Sequence, residues 1–255
     1  MRKQYMSIIL SVILIVLVVA GVIHVNRKFA TKKGKEYIPT GGRFDLWAHR
    51  GFLKNNNEEN TMEAFRDAVE NGADGIEMDV QFNEIMNKFV VSHDIPYKAP
   101  GGNLLFLEDV FKEFQRNTKY WIDFKNLRTG NKLPAFIRLE YLMKTYKTFD
   151  ITFVESNSGL ALRYFSLNGI NTIYGIKYDK KEFQFIFENF YNKLLILNSR
   201  FKGIVVPSWD VSDELVEEYK NYSLFVFTIN DEETLKKYEE YPNIKSVVTD
   251  RLFVK

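Results

Sequence analysis

Residues 60–80 read NTMEAFRDAVENGADGIEMDV. Met62, Phe65, Ala68 and Val69 recur at the spacing of one helical face. Gly72 stands where helices commonly close on a left-handed residue. Residues 74–80 then change to a strand pattern ending in Glu77-Met78-Asp79-Val80. This helix–strand unit predicts the architecture, because the chain repeats it. Upstream, 45–50 is a short apolar strand. Downstream, strand-like segments at 120–125, 151–155, 172–176, 203–207, 224–229 and 244–249 alternate with helical patterns at 133–146, 159–166, 181–190, 212–220 and 231–241. The strand-like stretch 88–93 follows its predecessor too closely for a parallel crossover and reads as a hairpin partner. Leaving it out, eight strands remain, which predicts an α/β fold of the TIM (β/α)8 barrel type. A doubly wound open sheet is the alternative.

Of 255 residues, 45% are apolar and 27% charged, an ordinary globular composition. A net charge of +2 gives no polyelectrolyte signal, so nucleic acid is not an expected partner. Cysteine is absent, which excludes disulfides, thiolate nucleophiles and cysteine metal sites.

Residues 7–23 carry no charge and follow Arg2 and Lys3. This run is at the short end of a transmembrane helix. A signal peptide with Val18-Val19-Ala20 near its cleavage site is the competing reading. We read an uncleaved single-pass anchor over 1–25 and a basic linker over 26–43, with Gly34, Pro39, Gly41 and Gly42. The barrel then occupies 44–255. Arg27, Lys28, Lys32, Lys33 and Lys35 are expected against anionic headgroups. By the positive-inside rule they favour a cytoplasmic barrel, whereas the signal-like order favours an exported one. The side of the membrane stays open.

In a TIM barrel the strands end in the loops that build the active site. His49 and Arg50 close strand one, Glu77 and Asp79 lie toward the end of strand two, and Asp123 and Lys125 end the next barrel strand. Glu77, Asp79 and Asp123 are hard oxygen donors suited to Mg²⁺ or Ca²⁺. Arg50 and Lys125 supply positive charge for a phosphate. His49 and His93 offer imidazoles, the side chain whose unperturbed pKa lies nearest neutral pH. His24 lies in the apolar run. Trp47, Trp121 and Phe227 are expected to pack, and the Phe183, Phe185, Phe187 and Phe190 run to form a buried helix face, with lipid contact by an exposed subset as the alternative.

The ordered set AHRG, EENT, GADGIEMDV, VVSHD, IDFK, FTIN and VVTD resembles the glycerophosphodiester phosphodiesterase family over about residues 45–250. The resemblance implies a TIM barrel that hydrolyses glycerophosphodiesters with a divalent metal. By it, His49 and His93 match the acid/base pair, and Glu77, Asp79 and Asp123 the metal ligands. Arg50 and Lys125 match the phosphate contacts, and Glu59 an acidic residue near the metal or substrate. Departures occur: Glu58 replaces a proline, Asp123 is one methylene shorter than the usual glutamate, and Phe227 replaces a tryptophan. Residues 83–87 replace a Thr-x-Asp-Gly turn, and Lys98-Ala99-Pro100-Gly101-Gly102 makes a compact rim. Two other functions compete: a lysophospholipase D or phospholipase acting on membrane lipid, and a non-catalytic phospholipid-binding barrel.

Overall fold

A computed structural model describes residues 2–52, 58–99, 102–180 and 184–251. Eight parallel strands form the barrel: β1 (Asp45–Ala48), β2 (Gly75–Asn83), β4 (Lys119–Phe124), β5 (Thr152–Ser156), β6 (Asn171–Gly175), β7 (Gly203–Pro207), β8 (Leu224–Phe227) and β9 (Ile244–Thr249). The sheet closes because β1 pairs in parallel with both β2 and β9. That closure rules out the open doubly wound alternative. The expected hairpin is present, with β3 (Lys88–Val91) antiparallel to the far end of β2.

The barrel interior is aromatic. Trp47, Trp121, Phe153 and Phe225 pack with Ile173, Val205 and Val248. Trp47 and Trp121 meet edge to face at 5.7 Å, a favoured aromatic geometry. Gly75 begins β2 because the Trp47 ring leaves no room: a Cβ there would come within 2.4 Å of it. Outside the strands lie α2 (Met62–Glu70), α3 (Leu107–Phe114), α4 (Lys132–Tyr146), α5 (Gly159–Leu167), α6 (Phe185–Leu197), α7 (Asp213–Glu218) and α8 (Glu232–Glu239). The sequence reading left α3 unassigned, although Leu107, Val110, Phe111 and Phe114 are its buried face at helical spacing.

Two expectations change. The phenylalanine run does not form one buried face. Residues two apart on a helix point about 200° apart, so Phe185 and Phe190 pack partly on the core while Phe187 is 73% exposed. Lys181 and Phe183 lie outside the described residues, as do Pro100 and Gly101. The second change is at 26–43, which is not a loose tether. The N-terminal helix α1 (Arg2–Thr31) runs through the expected boundary. Its Val25 and Phe29 are buried, and Phe29 stacks on Tyr222 at 4.5 Å.

Past α1, Tyr37 enters the barrel floor and packs edge-on against Phe153 at 5.2 Å. Its hydroxyl donates to Asp45, the first residue of β1. Asp45 is fully buried and also accepts from the backbone N–H groups of Thr40 and Gly41 at 2.8 Å and from Lys119 Nζ at 2.6 Å. This cage closes the barrel floor.

Burial alone would raise the Asp45 pKa, but Lys119, Tyr37 and the Gly41 N–H hold it below the usual carboxylate value. The resulting stabilisation is complete above the unfolded-state pKa and is lost as pH falls through the depressed native value. Asp45→Asn leaves Lys119 without its buried partner and should cost about 3–5 kcal/mol, measured by denaturant unfolding at neutral pH. The wild-type advantage over the variant should shrink on acidification. A chain beginning at Gly21 keeps Val25, Phe29 and Tyr37 and should melt cooperatively. One beginning at Thr40 loses all three and should melt at clearly lower temperature.

Candidate active site at the barrel mouth

The sharp turn after β1 sets the first two side chains. His49 follows Ala48, and its N–H donates to the Thr249 carbonyl at 2.9 Å. Arg50 takes a left-handed φ of 54°, which aims its own N–H at Glu77 Oε2, 2.9 Å away. Gly51 follows at φ 84°, where a Cβ would lie 2.6 Å from the Ala64 backbone. Only glycine fits there. The tight turn therefore places imidazole and guanidinium over the strand ends.

Glu77 and Asp79 are alternate residues of β2 and so point to the same side, into the barrel mouth. Asp123 sits beside Asp79 in register on β4. Carboxylate oxygens of Glu77, Asp79 and Asp123 all lie within 4.8 Å of one another, so the shorter Asp123 still reaches the group. Asp79, 1% exposed, is held on several sides. Asn60 Nδ2 donates to its Oδ2 at 2.8 Å, Lys125 Nζ lies 2.8 Å from Oδ1, and Arg50 Nε is 2.8 Å from Oδ2 as an ion pair. Lys125 Nζ also donates to Asp123 Oδ2.

The two histidines share an arrangement. His49 Nδ1 lies 2.6 Å from Asp250 Oδ1, and His93 Nδ1 lies 2.7 Å from Asp94 Oδ1. A carboxylate at Nδ1 favours the tautomer that leaves Nε2 available for proton transfer. Both rings line one cavity with Arg50, Glu77, Asp79, Asp123, Lys125 and the walls Trp121, Glu155, Phe227 and Val248. Glu59, expected near the metal or substrate, contacts Arg50, its Oε2 being 2.7 Å from the guanidinium. Among the described residues it is outside the three-carboxylate group.

The lining holds four carboxylates (Glu77, Asp79, Asp123, Glu155) against two permanent cations, Arg50 and Lys125. Burial, aided by the charge on Asp79, pushes Glu77 up to about 8. Burial likewise raises Asp123, with Lys125 partly offsetting it, and raises Glu155 strongly. Asp79 is the exception: burial works against its charge, but Lys125 and Arg50 outweigh it and keep the carboxyl ionised. Fully ionised, the lining is two positive charges short of neutrality. A divalent cation supplies that charge, and oxygen donors are the chemistry Mg²⁺ and Ca²⁺ take.

Five residues of this network were not singled out by the sequence reading. Asp250 orients His49, and Asn230 Nδ2 in turn donates to Asp250 Oδ2 at 2.5 Å. Both stood in quoted motifs, VVTD and FTIN, without an assigned role. Asn60 of EENT and Asp94 of VVSHD are of the same kind. Glu155, which accepts from Trp121 Nε1 at 2.7 Å, carried no motif at all.

The chain is a closed α/β barrel that gathers imidazoles, cations and clustered carboxylates at its mouth, side chains suited to phosphate-ester chemistry. The Glycerophosphoryl diester phosphodiesterase family matches residues 49–149, the stretch that carries all eight residues expected from the sequence. A glycerophosphodiester phosphodiesterase of Caldanaerobacter subterraneus subsp. tengcongensis is 35% identical over 115 residues, 45% of this chain and 46% of that protein. One from Bacillus altitudinis is 53% identical over 49 residues, 19% of each chain. These matches thus span less than half of either curated relative. The barrel also superposes on a glycerophosphodiester phosphodiesterase from Parabacteroides distasonis (TM-score 0.64, 19% identity, 85% of this chain and 94% of that one). An Oleispira antarctica phosphodiesterase in complex with the product sn-glycerol-3-phosphate gives TM-score 0.63 at 17% identity, with 81% and 92% covered. The family match thus covers residues 49–149, the part of the chain that carries the barrel-mouth residues.

His49 tests the electrostatics. Burial would lower its pKa, but the Asp250 hydrogen bond and the Glu77 charge overcome this and raise it. In metal-free protein, NMR titration of His49 should therefore give a midpoint above the usual imidazole value of about 6.5. Asp250→Asn removes the negative charge that favours the protonated ring, so the midpoint should fall.

Proposed function

We propose that this chain hydrolyses glycerophosphodiesters to glycerol 3-phosphate and an alcohol, with Mg²⁺ or Ca²⁺ held by Glu77, Asp79 and Asp123. The observation that supports this reading most is the pairing of each imidazole with a carboxylate at Nδ1, on two sides of one cavity that also holds Arg50 and Lys125. The family match over residues 49–149 supports the substrate class. The solved Oleispira relative bound to sn-glycerol-3-phosphate is consistent with it.

Bound in the carboxylate group, the cation would neutralise phosphate charge and lower the pKa of a coordinated hydroxyl or water. The rest falls to the chain. Arg50 and Lys125 hold the phosphate oxygens, the guanidinium being suited to two parallel hydrogen bonds. One imidazole takes, at its Nε2, the proton of the attacking water, or of a substrate hydroxyl whose cyclic phosphate product water then opens. The other donates a proton to the departing alcohol oxygen, so the P–O bond breaks without releasing an alkoxide. Asp250 and Asp94 keep the two rings in the required tautomer. Trp121 and Phe227 wall the cavity with apolar surface.

His49→Ala and His93→Ala should each slow release of glycerol 3-phosphate from glycerophosphocholine by about 10²–10⁴-fold, the range for a lost general acid or base. Near-wild-type turnover in either variant would remove that histidine from the chemistry. A phosphate-binding barrel without catalysis would show no turnover even in the wild type. Calorimetric titration with Mg²⁺ and with Ca²⁺ tests the ligands separately from activity: Asp123→Asn should weaken binding while the melting curve keeps its shape.

A further inference from the structure

The helix α1 is aligned with the barrel in a way that fixes which face meets a membrane. Asn26 Oδ1 accepts from Lys193 Nζ at 2.7 Å, and Lys32 Nζ donates to the Leu197 carbonyl at 2.6 Å. The order is the same on both helices, so α1 runs parallel to α6. The foot agrees: Asn221 Nδ2, just before β8, donates to the Ala30 carbonyl at 2.8 Å, and the Gly34 N–H donates to the Asn221 carbonyl at 2.9 Å. Because α6 follows β6, its first residues stand at the catalytic mouth. The free, N-terminal part of α1 therefore projects past that mouth.

Distances follow from a rise of about 1.5 Å per residue. Val22, Val25 and Phe29 are the partly or fully buried stripe, and from Tyr5 to Gly21 the described side chains are exposed. The apolar run 7–23 is about 25 Å long, a little short of the hydrocarbon thickness of a bilayer of about 30 Å. A span of that length must include Ile23. Phe187 precedes Lys193 by as many residues as Ala20 precedes Asn26, so Phe187 is level with Ala20. Ile186 (70% exposed) and Phe187 (73%) thus stand at the depth of the run's last turns. On the short helical turn after β7, at the same end of the barrel, Trp209 is 77% exposed and meets Phe227 of the cavity wall edge to face at 6.1 Å. Asp210 Oδ2 ties this turn to the β6–α6 loop by accepting from the Tyr178 N–H at 2.8 Å. Lys177 of that loop is exposed, and a cation at this height favours anionic headgroups.

We propose that the catalytic mouth faces the bilayer, with Ile186, Phe187 and Trp209 seated in the lipid interface, so that the site takes glycerophosphodiester lipids from the membrane surface. The occupant follows from α1: an apolar helix long enough to cross a bilayer is fixed parallel to the barrel wall that carries these side chains. The placement also changes the role of the basic stretch. Arg27 and Lys28 lie within about one Debye length, roughly 8 Å, of the interface, whereas Lys32, Lys33 and Lys35 lie toward the barrel foot, away from the headgroups. The choice of substrate source rests on the proposed phosphodiester hydrolysis; the orientation does not.

The experiment uses the full chain in phosphatidylcholine–phosphatidylglycerol vesicles whose acyl chains carry bromine. Trp47 and Trp121 are buried in the barrel, so Trp209 is the tryptophan available to the quencher. Emission should be quenched, and Trp209→Phe should remove the quenched component. In parallel, Phe187→Asp should lower turnover of vesicle-borne lysophosphatidylcholine by roughly tenfold, as loss of interfacial apolar area predicts. Its turnover of soluble glycerophosphocholine and its melting temperature should stay unchanged. Unquenched Trp209 in vesicle-bound protein, failure of the chain to enter vesicles, or equal loss on both substrates would overturn the proposal. If the wild type hydrolyses neither substrate, the functional reading fails, and the quenching result alone decides the orientation.

Discussion

Burying carboxylates together is the constraint around which this molecule is arranged. Glu77, Asp79 and Asp123 sit within a few ångströms of one another at the mouth of an aromatic barrel. Desolvation and mutual repulsion both oppose their ionisation. Arg50 and Lys125 answer part of that cost, and their positions explain otherwise odd local features. The left-handed Arg50 is one: it turns a backbone N–H onto Glu77 while its side chain reaches Asp79 and Glu59. The remaining shortfall of positive charge is what makes a divalent cation the natural complement of the site.

The two ends of the barrel solve opposite problems. At the floor, Asp45 is buried but fully answered by Tyr37, Lys119 and two backbone N–H groups. That carboxylate is structural, and its depressed pKa marks satisfaction. At the mouth, Glu77 is pushed up to about 8 because its partners do not suffice. Raised and lowered carboxylates thus separate the end that stabilises from the end that is left poised for a ligand.

Much of this was legible in residues 60–80 and their repeats. Helix and strand periods gave the barrel, and the i, i+2 spacing of Glu77 and Asp79 gave one shared face. The His49 and His93 motifs gave the imidazoles. What was not legible depended on contacts between distant segments. Asp250 reaches His49 across the β1–β9 closure, and no local pattern announces that. Glu155 stands beside Asp123 only through β4–β5 register. The alternating phenylalanines around Phe187 suggested a core face, but a helix turns them to different sides. The stretch after the apolar run looked like a linker because its composition is basic and glycine-containing. Phe29 and Tyr37 overrule that by filling the barrel's side and floor.

Phosphorus NMR of the full chain with glycerophosphocholine and Mg²⁺ or Ca²⁺ tests the central claim most directly. The account predicts that the diester resonance is replaced by that of glycerol 3-phosphate, while free choline appears in the proton spectrum, and that a chelator stops the conversion. An unchanged diester in the presence of either cation, or the appearance of phosphocholine in place of choline, would contradict it.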